Sequence, residues 1–231
     1  MKDILSEMIS ITVLIIIATV IVSIIGFKNQ QAMDNLIFSP PVVIEKNQYY
    51  RFITCGFIHA DIPHLFFNMY ALFLFGEGQR KDGVEHMFLS VFGDKGKLLY
   101  LVMYILALIA CLIPTFNKNK TNHDYRSLGA SGAVSAVVFS FILFEPLRGV
   151  GLIFIPVFVP GFLFGILYLI ISYLLDLKGS SNINHSAHIW GAIFGIIFVI
   201  IICKLFSTYP VLENFIESVR NLDKSKIFTT Y

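Results

Sequence analysis

Gly129-Ala130-Ser131-Gly132-Ala133 opens the apolar run 127–144, and the reading of this stretch decides the rest of the chain. A hydroxyl flanked by glycines, about one turn inside an apolar helix, has no obvious packing purpose, and polar groups at membrane depth are functional candidates by default. Ser131 is therefore the candidate nucleophile. The remaining sequence is read by asking which segments can reach it.

The surroundings of this stretch are those of a polytopic membrane protein. The chain has 231 residues, of which 56% are hydrophobic and 14% charged, and its mean hydropathy is +0.77. That leaves too little polar surface for a soluble domain of this size. A formal net charge of +2 without a basic run excludes nucleic acid as a partner. Cys55, Cys111 and Cys203 are odd in number and far apart, so they suit neither a disulfide framework nor a metal cage. His59 and His64 lack a supporting carboxylate cluster or an H-E-x-x-H pattern, and no metal is expected.

Six apolar stretches are each long enough to cross as a helix, at 9–27, 63–79, 98–116, 127–144, 150–175 and 185–206. Helices are the default because backbone groups in lipid must be satisfied internally. The first stretch is too long for the apolar part of a signal peptide and is kept as a span. The connection 28–62 is too apolar for a free linker, and Tyr49, Tyr50 and Arg51 suit the headgroup level. The tail 207–231 carries a helical-period apolar stripe through Val211, Phe215 and Val219 and is expected to lie on the membrane face. With the N-terminus inside, ten of the seventeen Lys and Arg fall on the inner side, which places both termini in the cytoplasm. A compact chain with no appended soluble domain and no visible transit peptide fits a prokaryotic plasma membrane.

Parity brings the polar residues together. Spans two, four and six run in the same direction, and their N-terminal ends carry His59, His64 and Asn68, then Ser127 and Ser131, then His185 and His188. Ser131 is expected about four residues, or roughly 6 Å, below an N-cap at Ser127. Gly132, Ala136 and Ser140 recur at i, i+4 and i+8, as do Ala187, Gly191 and Gly195 on the last span. Such small-residue faces let helix backbones approach closely in lipid, and a Ser131–His188 hydrogen bond is the expected consequence. A serine hydroxyl needs a base, which imidazole supplies near neutral pH. No carboxylate lies near His188 in sequence, so a dyad is expected. The Ser131 amide, His64 and Asn68 are the candidate oxyanion donors, the last two sharing a helix face. G-A-S-G alone is ordinary small-residue packing. Its coincidence with histidines at matched depth on helices of the same parity is what gives it meaning.

At these residues the sequence resembles the rhomboid intramembrane serine proteases. The resemblance covers roughly 45–205 and rests on G-A-S-G at 129–132, on His59, His64 and Asn68 in H-x-x-x-x-H-x-x-x-N, on A-H-x-x-G-x-x-x-G from Ala187 to Gly195, and on Tyr-Arg-Phe-Ile-Thr at 50–54. It implies an all-α bundle of six transmembrane helices that cuts a peptide bond in or beside another protein's transmembrane segment, without cofactor, metal or nucleotide. By the same resemblance Ser131 is the nucleophile and His188 the base, with His64, Asn68 and the Ser131 amide stabilising the oxyanion. His59, Arg51, Gly129, Gly132, Gly191 and Gly195 would be structural supports, and the fifth span and the loop 176–184 would match the elements regarded as gate and cap. Substrate transmembrane proteins and the bilayer are the implied partners, while substrate identity and oligomeric state are left open.

Two departures stand out. Many members carry, four residues after the nucleophile, an aromatic residue that packs on the catalytic histidine, whereas this chain has Ser135. The run Gly76-Glu77-Gly78-Gln79 also departs from the family's usual glycine and glutamate pattern. The competing functions are a proteolytically silent client-binding protein, which would need neither Ser131 nor His188, and a small transporter, which predicts a pair of broken helices in corresponding halves or an ionisable residue near midspan.

Overall fold

The computed structural model describes residues 10–152, 155–179 and 183–222. The first helix, α1 (Ile11–Lys28), is inverted relative to a soluble amphipathic helix. Thr12, Ile15, Thr19, Ser23 and Gly26 are buried at three- to four-residue spacing, while Leu14, Ile17, Ile21 and Ile25 are exposed. Apart from Ile15, the side chains that face the protein are small or polar, while large apolar ones face outward, as suits a lipid solvent.

Its N-terminus is fixed by a polar knot. The carboxylate of Glu85 accepts the backbone N–H groups of Ile11 and Thr12, each at 2.8 Å, and the Thr12 hydroxyl at 2.8 Å. Ser10 caps the helix by accepting the Val13 N–H, and its hydroxyl also contacts Glu77 and Glu85. An acidic side chain at the first turn satisfies amides that have no partner within the helix and complements its dipole.

The connection to the next long helix is folded rather than loose. It contains α2 (Gln30–Leu36), α3 (Pro40–Lys46) and α4 (Arg51–Thr54), followed by a 3₁₀ turn, Cys55–Phe57. Arg51 is 5% exposed and donates to the carbonyls of Asp34 and Ile37 and to Gln48 Oε1. Phe38 pairs with Ser127 through two backbone bonds of 3.0 Å.

Next come α5 (Ile62–Leu72), extended by a π-helical turn to Glu77, then α6 (Val84–Phe92), α7 (Gly96–Ala110) and α8 (Ile113–Lys118). At the centre stands α9 (Ser131–Phe144), in which every residue from Gly132 to Leu143 is buried. It is followed by an antiparallel hairpin, β1 (Gly149–Leu152) and β2 (Ile155–Pro160), and by α10 (Gly161–Lys178), α11 (His185–Phe206) and α12 (Val211–Arg220).

Several boundaries differ from those read in the sequence. Among the described residues, α1, the stretch Val84–Lys118, α10 and α11 are long and apolar enough to cross a membrane, four rather than six. The second apolar stretch is an eleven-residue helix with a π-turn, and the third breaks at Cys111 and Leu112. The fifth does not start at Val150, because Gly149–Leu152 and Ile155–Pro160 pair as antiparallel strands. Pro160 and Gly161 separate strand from helix: proline lacks a ladder donor and stops the strand, and its fixed φ suits the position just before a helix. The fourth begins at Ser131 rather than Ser127, so Ser131 is its first residue and not one turn within it. The expected cap loop includes 180–182, the first span and the Lys count include residues 1–9, and the tail includes 223–231, all outside the described residues.

At 14 residues α9 is about 21 Å long, some 9 Å short of a 30 Å hydrocarbon core. Irregular backbone at such depth is tolerated only when protein surrounds it. That condition is met at the N-terminal end of α9, where Ala130 is fully buried.

Candidate active site

The start of α9 is shaped by its glycine and its neighbours. Gly129 adopts φ +109°, and a Cβ placed there would fall 2.7 Å from His64 Cε1 and 2.9 Å from Nε2. Both the backbone conformation and the close approach of the imidazole require glycine. Beyond this corner, Ser131, Gly132 and Ala133 are first-turn residues whose N–H groups have no acceptor within the helix. The positive end of the helix dipole and these amides make an oxyanion-favouring environment around the Ser131 hydroxyl.

His59 fixes the corner from below. Its Nε2 accepts the Ala130 N–H at 3.4 Å, and its Nδ1 lies 3.0 Å from Ser23 Oγ. An accepting Nε2 leaves the proton on Nδ1. Nδ1–H then donates to Ser23, whose own hydroxyl donates to the Phe57 carbonyl at 3.0 Å. The chain of bonds connects α1, the 3₁₀ turn and the residue before Ser131. The Gly129 N–H donates to Cys55 O at 2.9 Å, adding a second tie.

His64 lies edge-on to His59, with ring centroids 4.9 Å apart. Asp61 caps α5 by accepting the His64 N–H. One turn further along, Asn68 is buried and its Nδ2 donates to His64 O at 2.9 Å. An amide nitrogen has two protons, so one remains for a ligand.

The partner helix approaches backbone to backbone. A Cβ on Gly191 would fall 2.0 Å from Gly132 O, and one on Gly195 would fall 2.3 Å from Ala136 O. A Cβ on Gly132 itself would meet Cys111 Sγ at 2.4 Å and Ala187 O at 3.3 Å. The two small-residue faces thus mesh in register, Gly132 with Gly191 and Ala136 with Gly195. Ser131 and His188 each flank this crossing by one residue, next to Gly132 and Ala187.

The expected Ser131–His188 hydrogen bond is not formed. His188 Nε2 is buried and has no hydrogen-bond partner. Catalytic hydrogen bonds often tighten only with substrate bound. The His188 ring is instead held by aromatic neighbours. The Tyr168 ring of α10 stacks on it, with centroids 6.0 Å apart and planes at 21°, and His185 meets it edge-on at 5.6 Å.

Asn184, Tyr125 and Tyr168 are not singled out by the sequence reading. Asn184 caps α11 by accepting the Ala187 N–H at 3.1 Å. It also accepts the Thr115 hydroxyl at 3.2 Å and donates to Ser127 Oγ at 3.3 Å. Ser127 therefore serves this network and not the cap of α9. Burial raises the Tyr125 phenol above its usual range, against the opposing effect of hydrogen bonds to Ser127 and Thr115. His185, read as a loop or interface residue, is 7% exposed at the base of α11. Asn before an apolar run was a legible cap signal for Asn184, whereas nothing in sequence spacing joins Tyr168 to His188.

A buried helical bundle with a serine at one helix start and an imidazole across a glycine crossing defines the class: a helical membrane protein with a polar, serine-centred site. The comparison with known proteins sharpens this. A family model described as Rhomboid domain matches residues 46–205, and the chain belongs to the rhomboid family. It is 30% identical over 171 residues to RHOMBOID-like protein 12, mitochondrial, of Arabidopsis thaliana, covering 71% of this chain and 49% of that protein. It is also 30% identical over 144 residues to Presenilin-associated rhomboid-like protein, mitochondrial, of Homo sapiens, covering 62% of this chain and 35% of that protein. The chain thus spans half or less of the length of these relatives. The expected prokaryotic plasma membrane is overturned by these relatives, which carry mitochondrial names, and the cytoplasmic placement of the termini falls with it.

Proposed function

We propose that the chain is an intramembrane serine endopeptidase that cuts a peptide bond in or near the transmembrane segment of a membrane protein. Ser131 is the nucleophile and His188 the general base. Oγ–H gives its proton to Nε2 as Oγ attacks the scissile carbonyl carbon. The negative charge that develops on the carbonyl oxygen is met by the Ser131 N–H, His64 and the free Asn68 amide proton. Collapse of the intermediate breaks the C–N bond, and His188 returns the proton to the leaving amine. A water, deprotonated by the same imidazole, then hydrolyses the acyl-enzyme.

The observation that carries this reading is the unpartnered, buried Nε2 of His188 at the glycine crossing that begins one residue from Ser131. A buried polar atom without a partner costs stability, and a base awaiting a proton accounts for it. Family membership supports the same reading.

The missing Ser131–His188 bond favours one other reading, a rhomboid-like protein that binds transmembrane clients without cutting them. Reconstitution of a model transmembrane substrate in liposomes separates the two. The wild type is expected to cut, and Ser131→Ala and His188→Ala, both folded, to lose activity by about a thousandfold or more. Equal cutting by all three would refute the dyad. Absence of both cutting and serine-probe labelling in the wild type would favour the client-binding reading.

A further inference from the structure

The aromatic residue against His188 comes from α10 and not from α9, and its hydroxyl has a definite partner. Ser135 Oγ lies 2.8 Å from Ser131 O and 2.7 Å from Tyr168 Oη. Ser135 has one proton. Given to the Ser131 carbonyl, it leaves Oγ as acceptor for the phenolic O–H of Tyr168. The result is a directed chain, Tyr168 to Ser135 to the carbonyl of Ser131, while the face of the same tyrosine ring lies on His188. Tyr168 therefore touches the environment of both reacting residues, through its hydroxyl on one side and its ring on the other.

We propose that Tyr168 is the positioning residue for His188, with Ser135 as the anchor that sets the ring. This rests on the protease reading above. Phe139 and Phe164 also pack on Tyr168, at centroid distances of 5.7 and 6.1 Å, and restrict the ring further. A serine at 135 is what the arrangement requires: an aromatic side chain there would occupy the place of the Tyr168 hydroxyl, and alanine would leave a half-buried phenol without its acceptor. The imidazole, with no hydrogen bond on Nε2, depends on this ring and on His185 for its orientation. Because Tyr168 belongs to α10, whose buried residues are only Gly161, Gly165 and Ser172, the orientation of His188 is coupled to the placement of the most outward-facing helix near the site. A displacement of α10 withdraws the ring.

The test uses the full chain in detergent micelles with two readouts. The first is the rate at which a small fluorophosphonate probe labels Ser131, which needs no entry of a protein substrate. The second is the NMR correlation of the His188 Cε1–H group, assigned through its loss in His188→Gln, whose position reports the ring current of a stacked tyrosine. Tyr168→Leu is expected to move this resonance and to slow labelling about tenfold or more. On a cleavable substrate, kcat should fall with little change in KM. Tyr168→Phe keeps the ring, so the resonance should stay near its wild-type position and labelling should recover in part. Ser135→Ala should match Tyr168→Phe. An unmoved resonance with wild-type labelling in Tyr168→Leu would overturn the proposal, as would equal defects in Tyr168→Leu and Tyr168→Phe. If the wild type fails to label, the protease reading falls on its own, and the resonance still decides whether Tyr168 positions His188.

Discussion

Replacing Gly191 by alanine tests whether the helix crossing creates the site. A Cβ at this position would stand 2.0 Å from Gly132 O, where ordinary contact begins at 3.4 Å. The shortfall of about 1.4 Å falls on backbone, which cannot rotate away as a side chain can, so α9 and α11 must part by roughly that amount. Overpacking of this kind costs about 1–3 kcal/mol. The same separation moves His188 away from Ser131, and a misplacement near 1 Å lowers rate by about a hundredfold. Gly191→Ala is therefore expected to melt at a lower temperature and to label with a fluorophosphonate about a hundredfold more slowly. Leu205→Ala on the exposed side of the same helix serves as control, since Leu205 is 67% exposed and makes no part of the crossing. Wild-type labelling by a folded Gly191→Ala protein would refute the claim that this backbone contact sets the Ser131–His188 geometry.

Other perturbations probe the scaffold. Arg51→Ala removes three charge-assisted bonds to Asp34 O, Ile37 O and Gln48 and should cost roughly 2–4 kcal/mol in denaturant unfolding, while Arg51→Lys, lacking the fork, should recover only part of it. Asp82 bonds to Arg148, and although burial works to raise its pKa, the guanidinium's hydrogen bond and charge hold the carboxyl below its usual 3.8. The pair's stabilisation is present above that value and is lost as pH falls through the lower folded value. Both partners are partly exposed, so Asp82→Asn should change stability by less than about 1 kcal/mol, remove this acid-linked component from melting curves and lessen their salt dependence. A melting temperature of Asp82→Asn that keeps the wild-type acid dependence would refute this assignment.

Sequence alone determined the membrane character, since 56% hydrophobic residues in long uncharged runs leave few alternatives. It also determined the family, because G-A-S-G and the histidine motifs set particular residue types at fixed offsets. The pairing of the Gly132 and Gly191 faces was legible for the same reason: only residues without large side chains permit backbone contact. Exact helix starts were not legible. The apolar run through Ser127 reads as continuous, but Ser127 is drawn into backbone pairing with Phe38, 89 positions earlier, and this delays α9 to Ser131. Hydropathy likewise gave no warning of the hairpin before α10, because its valines suit strand and helix alike and only strand pairing separates them. The aromatic support of His188 depended wholly on tertiary structure. Ser135 looked like a missing ring, and the ring comes instead from Tyr168, 33 positions later on another helix. Local periodicity records which face of a helix is small, polar or apolar, but the partner that fills the remaining space is chosen by packing among helices distant in sequence.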